Sequence, residues 1–414
     1  MKVTSFTPSK NENAELENLL DESFVSRKPL FPFNELSIEF LSALSQKILT
    51  AKGIKNYSEL VALAYWLRKS NITSIVDSFK REIHVNELIV PRGIAFHIAP
   101  SNVDSIFLYS WALSLLAGNL NIVRVSQNIG EQLELLLLLI KELCNIEKWE
   151  PISSRNIILT YPKNERINLF ISSISDVRIL WGGDDTVQNI KLIPSKPAAK
   201  DISFADKFSY TVINSMKYLS LNETGKINLS KHFFNDAYWF DQMACSSPRF
   251  VLFCGDEETC KSSSSLFWSF LEDELKRRGN NDTINIAMEK LVYMYESISR
   301  TEAIFPKIKP GQYKPTVLHV DKNEINKFRE SCGGGFFFEC FIGDLDELIN
   351  LISKKDQTLS YSGFELNELK EFAQKVNGAG IERIVPVGQA LNFSPTWDGY
   401  SLLNELTKRV SLIG

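Results

Sequence analysis

Nothing in this 414-residue chain approaches the roughly 20-residue apolar stretch that spans a bilayer; the run Leu135 to Ile140 stops after six residues. The opening Met1-Lys-Val-Thr-Ser-Phe6 continues into polar Pro8-Ser-Lys-Asn-Glu-Asn13, without the apolar core of a signal peptide. A soluble cytoplasmic protein is expected. Dense basic runs are missing too. The largest clusters are Lys276-Arg277-Arg278 and Lys354-Lys355, and the formal net charge is −4, so nucleic acid is not expected as a partner.

Other absences narrow the chemistry. The six cysteines, Cys144, Cys245, Cys254, Cys260, Cys332 and Cys340, include no Cys-x-x-Cys and no neighbouring His pair. That argues against a zinc site, and without an export signal the thiols are expected to stay reduced. His84, His97, His232 and His319 fall in no nucleophile or metal signature and read as core or surface residues. There is no Gly-x-Ser-x-Gly elbow, no Gly-x-Gly-x-x-Gly and no Walker loop.

What is present is an ordinary globular composition, 44% hydrophobic and 23% charged, enough for a large core and two or three domains. Apolar spacing predicts amphipathic helices over 34–69. Ile83 to Ile98, interrupted by Pro91-Arg92-Gly93, reads as a hairpin followed by a core strand. From there strands and helices alternate: helix Asp104 to Leu116, strand Asn121 to Val125, helix Gln132 to Leu143, strand Asn156 to Thr160, helix Glu165 to Ile174, strand Val177 to Trp181. Such alternation predicts a parallel, doubly wound nucleotide-binding domain. After Pro194-Ser-Lys-Pro197 come a strand at Tyr210 to Ile213, a polar spacer to Lys231, the segment Gln242 to Arg249, and a second α/β unit with strands Thr316 to Val320 and Gly335 to Glu339. The expected division is 1–200, a helical start and cofactor domain; 201–385, a catalytic domain; and 386–414, a segment returning to the cofactor domain or to an oligomer interface.

Gln242-Met-Ala-Cys245-Ser-Ser-Pro-Arg249 sets one cysteine among small residues before a strand. Such a cysteine is either a buried small hydrophobe or a nucleophile. Asn102, in Ile98-Ala-Pro-Ser-Asn102, is either a turn residue or an amide donor aimed into a cleft. Together a thiol and an amide donor point to acyl chemistry, because thiolate attack on a carbonyl needs donors where the oxyanion forms. Gly182-Gly183 would let the backbone approach a phosphate at a helix N-terminus or simply make a tight turn. Arg124 ends a strand at the ligand-binding edge of the predicted sheet and could clamp a 2′-phosphate, favouring NADPH over NADH, or form a surface salt bridge. Glu339, after Gly333-Gly334-Gly335, is a candidate ribose-binding carboxylate or part of a core strand.

The stretches Pro91 to Asp104, Tyr109 to Asn119, Asn121 to Ser126, Gln242 to Arg249, Gly380 to Gly388 and Trp397-Asp-Gly-Tyr400 resemble the LuxC-type fatty acyl-CoA reductases of the aldehyde dehydrogenase superfamily, from about Pro91 to the C-terminus. The resemblance implies an aldehyde-dehydrogenase-like α/β fold with a doubly wound nucleotide-binding domain and a second α/β catalytic domain. It implies that Cys245 takes the acyl group with Asn102 in its oxyanion hole, that Arg124 and Ser126 face the cofactor adenosine, that Gly182 and Gly183 lie near the pyrophosphate, and that Glu339 meets a ribose. The activity implied is NADPH-dependent reduction of an acyl-CoA or acyl-protein to the aldehyde, by a homo-oligomer with a possible acyl-protein synthetase partner. One departure matters. Hydrolytic aldehyde dehydrogenases carry a Glu before Gly-Gly-Lys, whereas here no Glu occurs between Arg166 and Asn222 and the nearest look-alike is Ser203-Phe-Ala-Asp-Lys207. Without that base, water attack on the acyl-enzyme should be slow. Two rivals stand beside this reading. A cysteine-dependent acyltransferase or thioesterase would form acyl-cysteine without consuming nicotinamide, and a silent subunit of an acyl-activating complex would bind neither ligand.

Overall fold

The computed structural model describes residues 1–7, 9–100, 105–302 and 304–413. The chain divides into two compact units, Met1–Asp206 with Phe393–Gly414, and Lys207–Asn392.

Strands of the first unit, in chain order, are β1 (Lys2–Ser5), β2 (Asn11–Glu15), β3 (Glu87–Pro91), β4 (Ile94–Ile98), β5 (Leu120–Arg124), β6 (Asn156–Thr160), β7 (Val177–Trp181) and β8 (Lys200–Phe204). All but β3 form one sheet in the order β2-β1-β6-β5-β4-β7-β8. The five strands from β6 to β8 in that order run parallel. Their side chains alternate between two cores: Ala95, Val123 and Ile179 enter one, Ile94, Phe96, Ile122 and Leu180 the other. Burial on both faces is why these strands read as continuous apolar runs. The helix Ile106–Leu116 is buried at every residue from Phe107 onward, as its lack of a polar face requires. Gly118, at φ +84°, ends it, and a Cβ there would lie 2.2 Å from the Leu30 carbonyl oxygen.

The second unit holds β9 (Phe208–Asn214), β10 (Phe250–Cys254), β11 (Ile304–Ile308), β12 (Thr316–Val320), β13 (Phe336–Ile342), β14 (Asp356–Ser362) and β15 (Arg383–Pro386). Their order is β11-β12-β13-β10-β9-β14-β15, parallel except for β11. The helix Glu257–Arg278 on this sheet starts where Asp256 accepts the Thr259 N–H and ends at Gly279 in the left-handed region, the usual pairing of caps. Among the described residues no helix is long and apolar enough to cross a membrane.

Several expectations need correction. The hairpin predicted over Ile83 to Ile98 does not form, because β3 pairs antiparallel with Thr407–Ser411 instead of β4. Arg92 donates to the carbonyls of Glu405 and Thr407 at 2.6 and 2.9 Å, and the Ile94 N–H is taken by Asp176 at 2.8 Å. The chain is thus turned away from itself by partners remote in sequence. The polar spacer before Lys231 is helical, Ser215–Ser220 and Glu223–Tyr238, capped by the side chains of Asn214 and Asn222. The first unit runs past Lys200 because β8 pairs with β7. Polar β1 and β2, absent from the sequence expectation, extend the sheet, β1 by backbone pairing with β6 and β2 with β1.

Candidate active site

In the first unit, β4 leads to β5 on one side and the chain later returns to lay β7 on the other. Ligands of doubly wound sheets bind at the carboxyl edge beside such a reversal. A cleft of about 450 Å³ opens there, lined by Ile98 to Pro100 after β4, Arg124 and Ser126 at the end of β5, Lys163 after β6, and Trp181 to Gly183 at the end of β7. Four predicted site residues, Arg124, Ser126, Gly182 and Gly183, therefore converge. Its lining includes two cations, several hydroxyl and amide side chains, and no carboxylate among the described residues.

Arg124 is held over the Tyr161 ring, and its buried Nε has no hydrogen-bond partner among the described residues. A Cβ on Gly182 would lie 3.2 Å from the Thr186 side chain, and one on Gly183 3.2 Å from Asp206 Oδ2, so both glycines keep the cleft floor open. The helix they introduce, Asp184–Lys191, is less open to a phosphate than the sequence implied. The Asp184 N–H donates to Asp206, the Asp206 N–H donates back to Asp184, each at 3.2 Å, and Asp185 adds a further carboxylate in the first turn. The glycines give close backbone approach; the helix terminus is already occupied by acid groups. His97, beneath this edge, is fully buried between Ser110 and Asn121, at 3.1 and 3.0 Å, and burial lowers its pKa to about 4. It is a neutral core histidine, as expected from its setting.

In the second unit, Cys245 sits half-buried in the loop entering β10. Its carbonyl accepts a 2.7 Å hydrogen bond from Ser209 Oγ. The other end of the loop is fixed when the Arg249 N–H donates to Ser209 O and its carbonyl accepts from Phe338 N–H. Beside it run three consecutive left-handed glycines, Gly333 to Gly335. A Cβ on Gly333 would fall 2.7 Å from Met243 Sδ, and one on Gly335 2.3 Å from Tyr238 Oη. The glycines are therefore the surface against which the cysteine loop packs. Burial raises the pKa of all five other thiols, to about 12 for Cys144, Cys254, Cys332 and Cys340, which keeps them protonated and inert. Among the described residues no disulfide forms. Asn102 lies outside the described residues.

Glu339 requires a correction. It is central in β13 rather than terminal, fully buried, and its carboxylate accepts from Ser264 at 2.5 Å, Trp268 at 2.7 Å, Lys307 at 2.8 Å and His319 at 3.1 Å. Burial opposes its charge, but His319, Lys307 and Ser264 outweigh that and hold its pKa below the usual value. Four side chains hold this carboxylate in place, and with Lys307 and His319 it lines a cavity of about 800 Å³ in the second unit. Lys163 and Trp181 were missed. Applying the carboxyl-edge rule to the strand at Asn156 to Thr160 would have found Lys163; the buried indole has no sequence signature.

Fold comparison gives the class first: this is an aldehyde-dehydrogenase-like α/β protein. Aldehyde dehydrogenase 21 from Physcomitrella patens, solved in complex with the reaction product succinate, matches 99% of this chain and 94% of its own at TM-score 0.69 and 12% identity. Glyceraldehyde-3-phosphate dehydrogenase GapN from Methanocaldococcus jannaschii, complexed with NADP, matches 99% and 98% at TM-score 0.65 and 13% identity. The family model described as acyl-CoA reductase (LuxC) matches residues 16–283, and the chain belongs to that family. A relative, long-chain acyl-protein thioester reductase 2 of Photobacterium leiognathi, is 21% identical over 338 residues. The match takes in 78% of this chain and spans 64% of that relative's length.

Proposed function

We propose that this protein reduces a fatty acyl thioester to the aldehyde with NADPH, through an acyl group carried on Cys245. The observation that carries the reading is the loop holding Cys245, braced by Ser209 and the three glycines in a chain of the acyl-CoA reductase family. The Cys245 thiolate attacks the thioester carbonyl, the bond to the donor sulfur breaks, and the donor leaves as a thiolate that takes a proton from solvent. Asn102 and the Cys245 N–H are the proposed donors to the oxyanion. The first unit is the proposed cofactor domain and the second the catalytic one.

The cleft residues fit a phosphorylated nicotinamide nucleotide. Arg124 brings an N–H with no partner among the described residues, Lys163 a second cation, Ser126 a hydroxyl, and Gly182 and Gly183 a floor without side chains. A site for NADH calls for a carboxylate on the 2′-hydroxyl, and none lines this cleft among the described residues. That supports Arg124 and Lys163 as readers of the 2′-phosphate. When bound, the nicotinamide supplies the hydride that releases aldehyde and restores the thiolate. No Glu occurs between Arg166 and Asn222, and Ser203 in the nearest look-alike segment offers a hydroxyl too weakly basic to activate water, which favours reduction over hydrolysis. The acyl donor is proposed to be acyl-CoA or an acylated protein, the latter in line with the name of the Photobacterium relative.

The test is incubation with radiolabelled acyl-CoA, in parallel with NADPH consumption coupled to aldehyde formation. Cys245→Ala is expected to take up no label while binding NADPH as the parent does. Label retained on the variant would remove Cys245 from the mechanism, and acyl-cysteine formed without NADPH use would favour the acyltransferase reading.

A further inference from the structure

The side chain of Gln242 is fully buried and makes four hydrogen bonds. Its Nε2 donates to the carbonyls of Pro248 at 2.9 Å and Phe336 at 2.8 Å. Its Oε1 accepts the N–H groups of Gly335 at 3.0 Å and Phe336 at 2.9 Å. An amide has two donors and two acceptor sites, so its capacity is filled. The bond to Pro248 closes the segment 242–248 on itself with Cys245 in the middle, and the other three fasten that closed segment to the start of β13.

The backbone shows why a clip is needed. Asp241 and Gln242 both have positive φ, 48° and 62°, a conformation that side chains other than glycine hold only where the surroundings over-determine it. Those surroundings are built for this loop. The Gly334 N–H donates to Asp241 O at 2.9 Å. The Gly334 carbonyl accepts in turn from buried Lys290 at 3.0 Å, whose charge is balanced by Asp282 at 2.8 Å.

We infer that Gln242 is the positioning residue of the nucleophile: its amide holds the strained loop in the one shape that presents the Cys245 thiol and backbone N–H to an acyl thioester. This rests on Cys245 carrying the acyl group. Loss of the clip lets Asp241 and Gln242 relax toward ordinary backbone angles and moves the thiol, without touching the substrate itself.

Gln242→Leu keeps the size of the side chain and removes all four bonds. In single-turnover acylation with a short acyl-CoA, its rate at saturation is expected to fall about thirtyfold or more, a misplacement effect. Half-saturation should stay within about twofold, since ground-state contacts are intact. Peptide mass spectrometry after brief iodoacetamide treatment should show faster labelling of Cys245 while buried Cys254, Cys260 and Cys340 stay protected, which separates local loosening from unfolding. Gln242→Glu is a second variant of the same size that loses both donors; about a tenfold loss of acylation rate or more is expected. A wild-type acylation rate in whichever variant folds would overturn the inference, as would labelling of the buried cysteines in step with Cys245. Cys245→Ala run alongside distinguishes the two layers. Label on that variant sinks the nucleophile assignment itself, whereas label that needs Cys245 but arrives at full rate in Gln242→Leu sinks only the positioning role.

Discussion

The Arg124 guanidinium lies 4.9 Å from the centroid of the Tyr161 ring, and its terminal N–H reaches the Tyr161 carbonyl at 3.5 Å. Tyr161 is itself fixed, its hydroxyl donating to Asn168 at 2.6 Å. A cation stacked on a fixed ring loses little freedom when it meets a phosphate, which suits the proposed role of Arg124 on the cofactor.

Arg124→Ala is accordingly expected to weaken NADPH by about 10- to 100-fold, the range for a charge-assisted bond, and NADH far less. Lys163→Ala should cause a smaller loss that shrinks as salt is raised, because its charge is exposed. Fluorescence titration with both nucleotides checks this; equal losses for the two would mean that the 2′-phosphate is read elsewhere.

Asp206 and Asp184 exchange hydrogen bonds at the helix that faces the cleft. Asp206→Asn keeps an acceptor for the Asp184 N–H and removes one negative charge near the proposed phosphate site. NADPH binding should tighten about two- to fivefold at low ionic strength and the gain should fade in high salt. Isothermal titration at two salt concentrations decides, and unchanged affinity at low salt would put the phosphates away from this terminus.

Two buried groups give the stability a pH dependence of opposite sign. Burial raises the Asp236 pKa from the ordinary 3.8 to about 7, against the opposing N–H bonds of Gly388 and Ala390. Its contribution is therefore full below 3.8 and is lost as pH rises through about 7. Burial lowers the His97 pKa from 6.5 to about 4, so its contribution is full above 6.5 and is lost as pH falls through about 4. In calorimetry from pH 5 to 8, Asp236→Asn should gain on the wild type as pH rises, and His97→Gln should gain as pH falls. Parallel curves for variant and wild type would show that the group concerned does not change charge in that window.

Much of the first unit was legible because each strand of a parallel sheet buries both faces and each helix between them carries its own periodicity. Strands Asn156–Thr160 and Val177–Trp181 and helix Glu165–Ile174 coincide with their expected bounds. Arg124 was legible as a cleft residue for the same reason, since the carboxyl end of a parallel strand is known once the strand is, whereas Ser126 was legible only through the family resemblance. The partner of β3 was not, because pairing with Thr407–Ser411 closes a loop of some three hundred residues that no local pattern records.

The sequence by itself determined the alternation of strands and helices from Asn121 to Trp181, the absence of a long apolar span, and the small-residue setting of Cys245, all of which depend on residues near one another in the chain. Only the tertiary structure decided that Glu339 is held by Ser264, Trp268, Lys307 and His319, that Lys163 joins Arg124, and that Gln242 clips the cysteine loop to β13. Those outcomes turn on which hydrogen-bonding groups meet after distant segments pack, and a buried polar atom takes whatever partner the fold delivers.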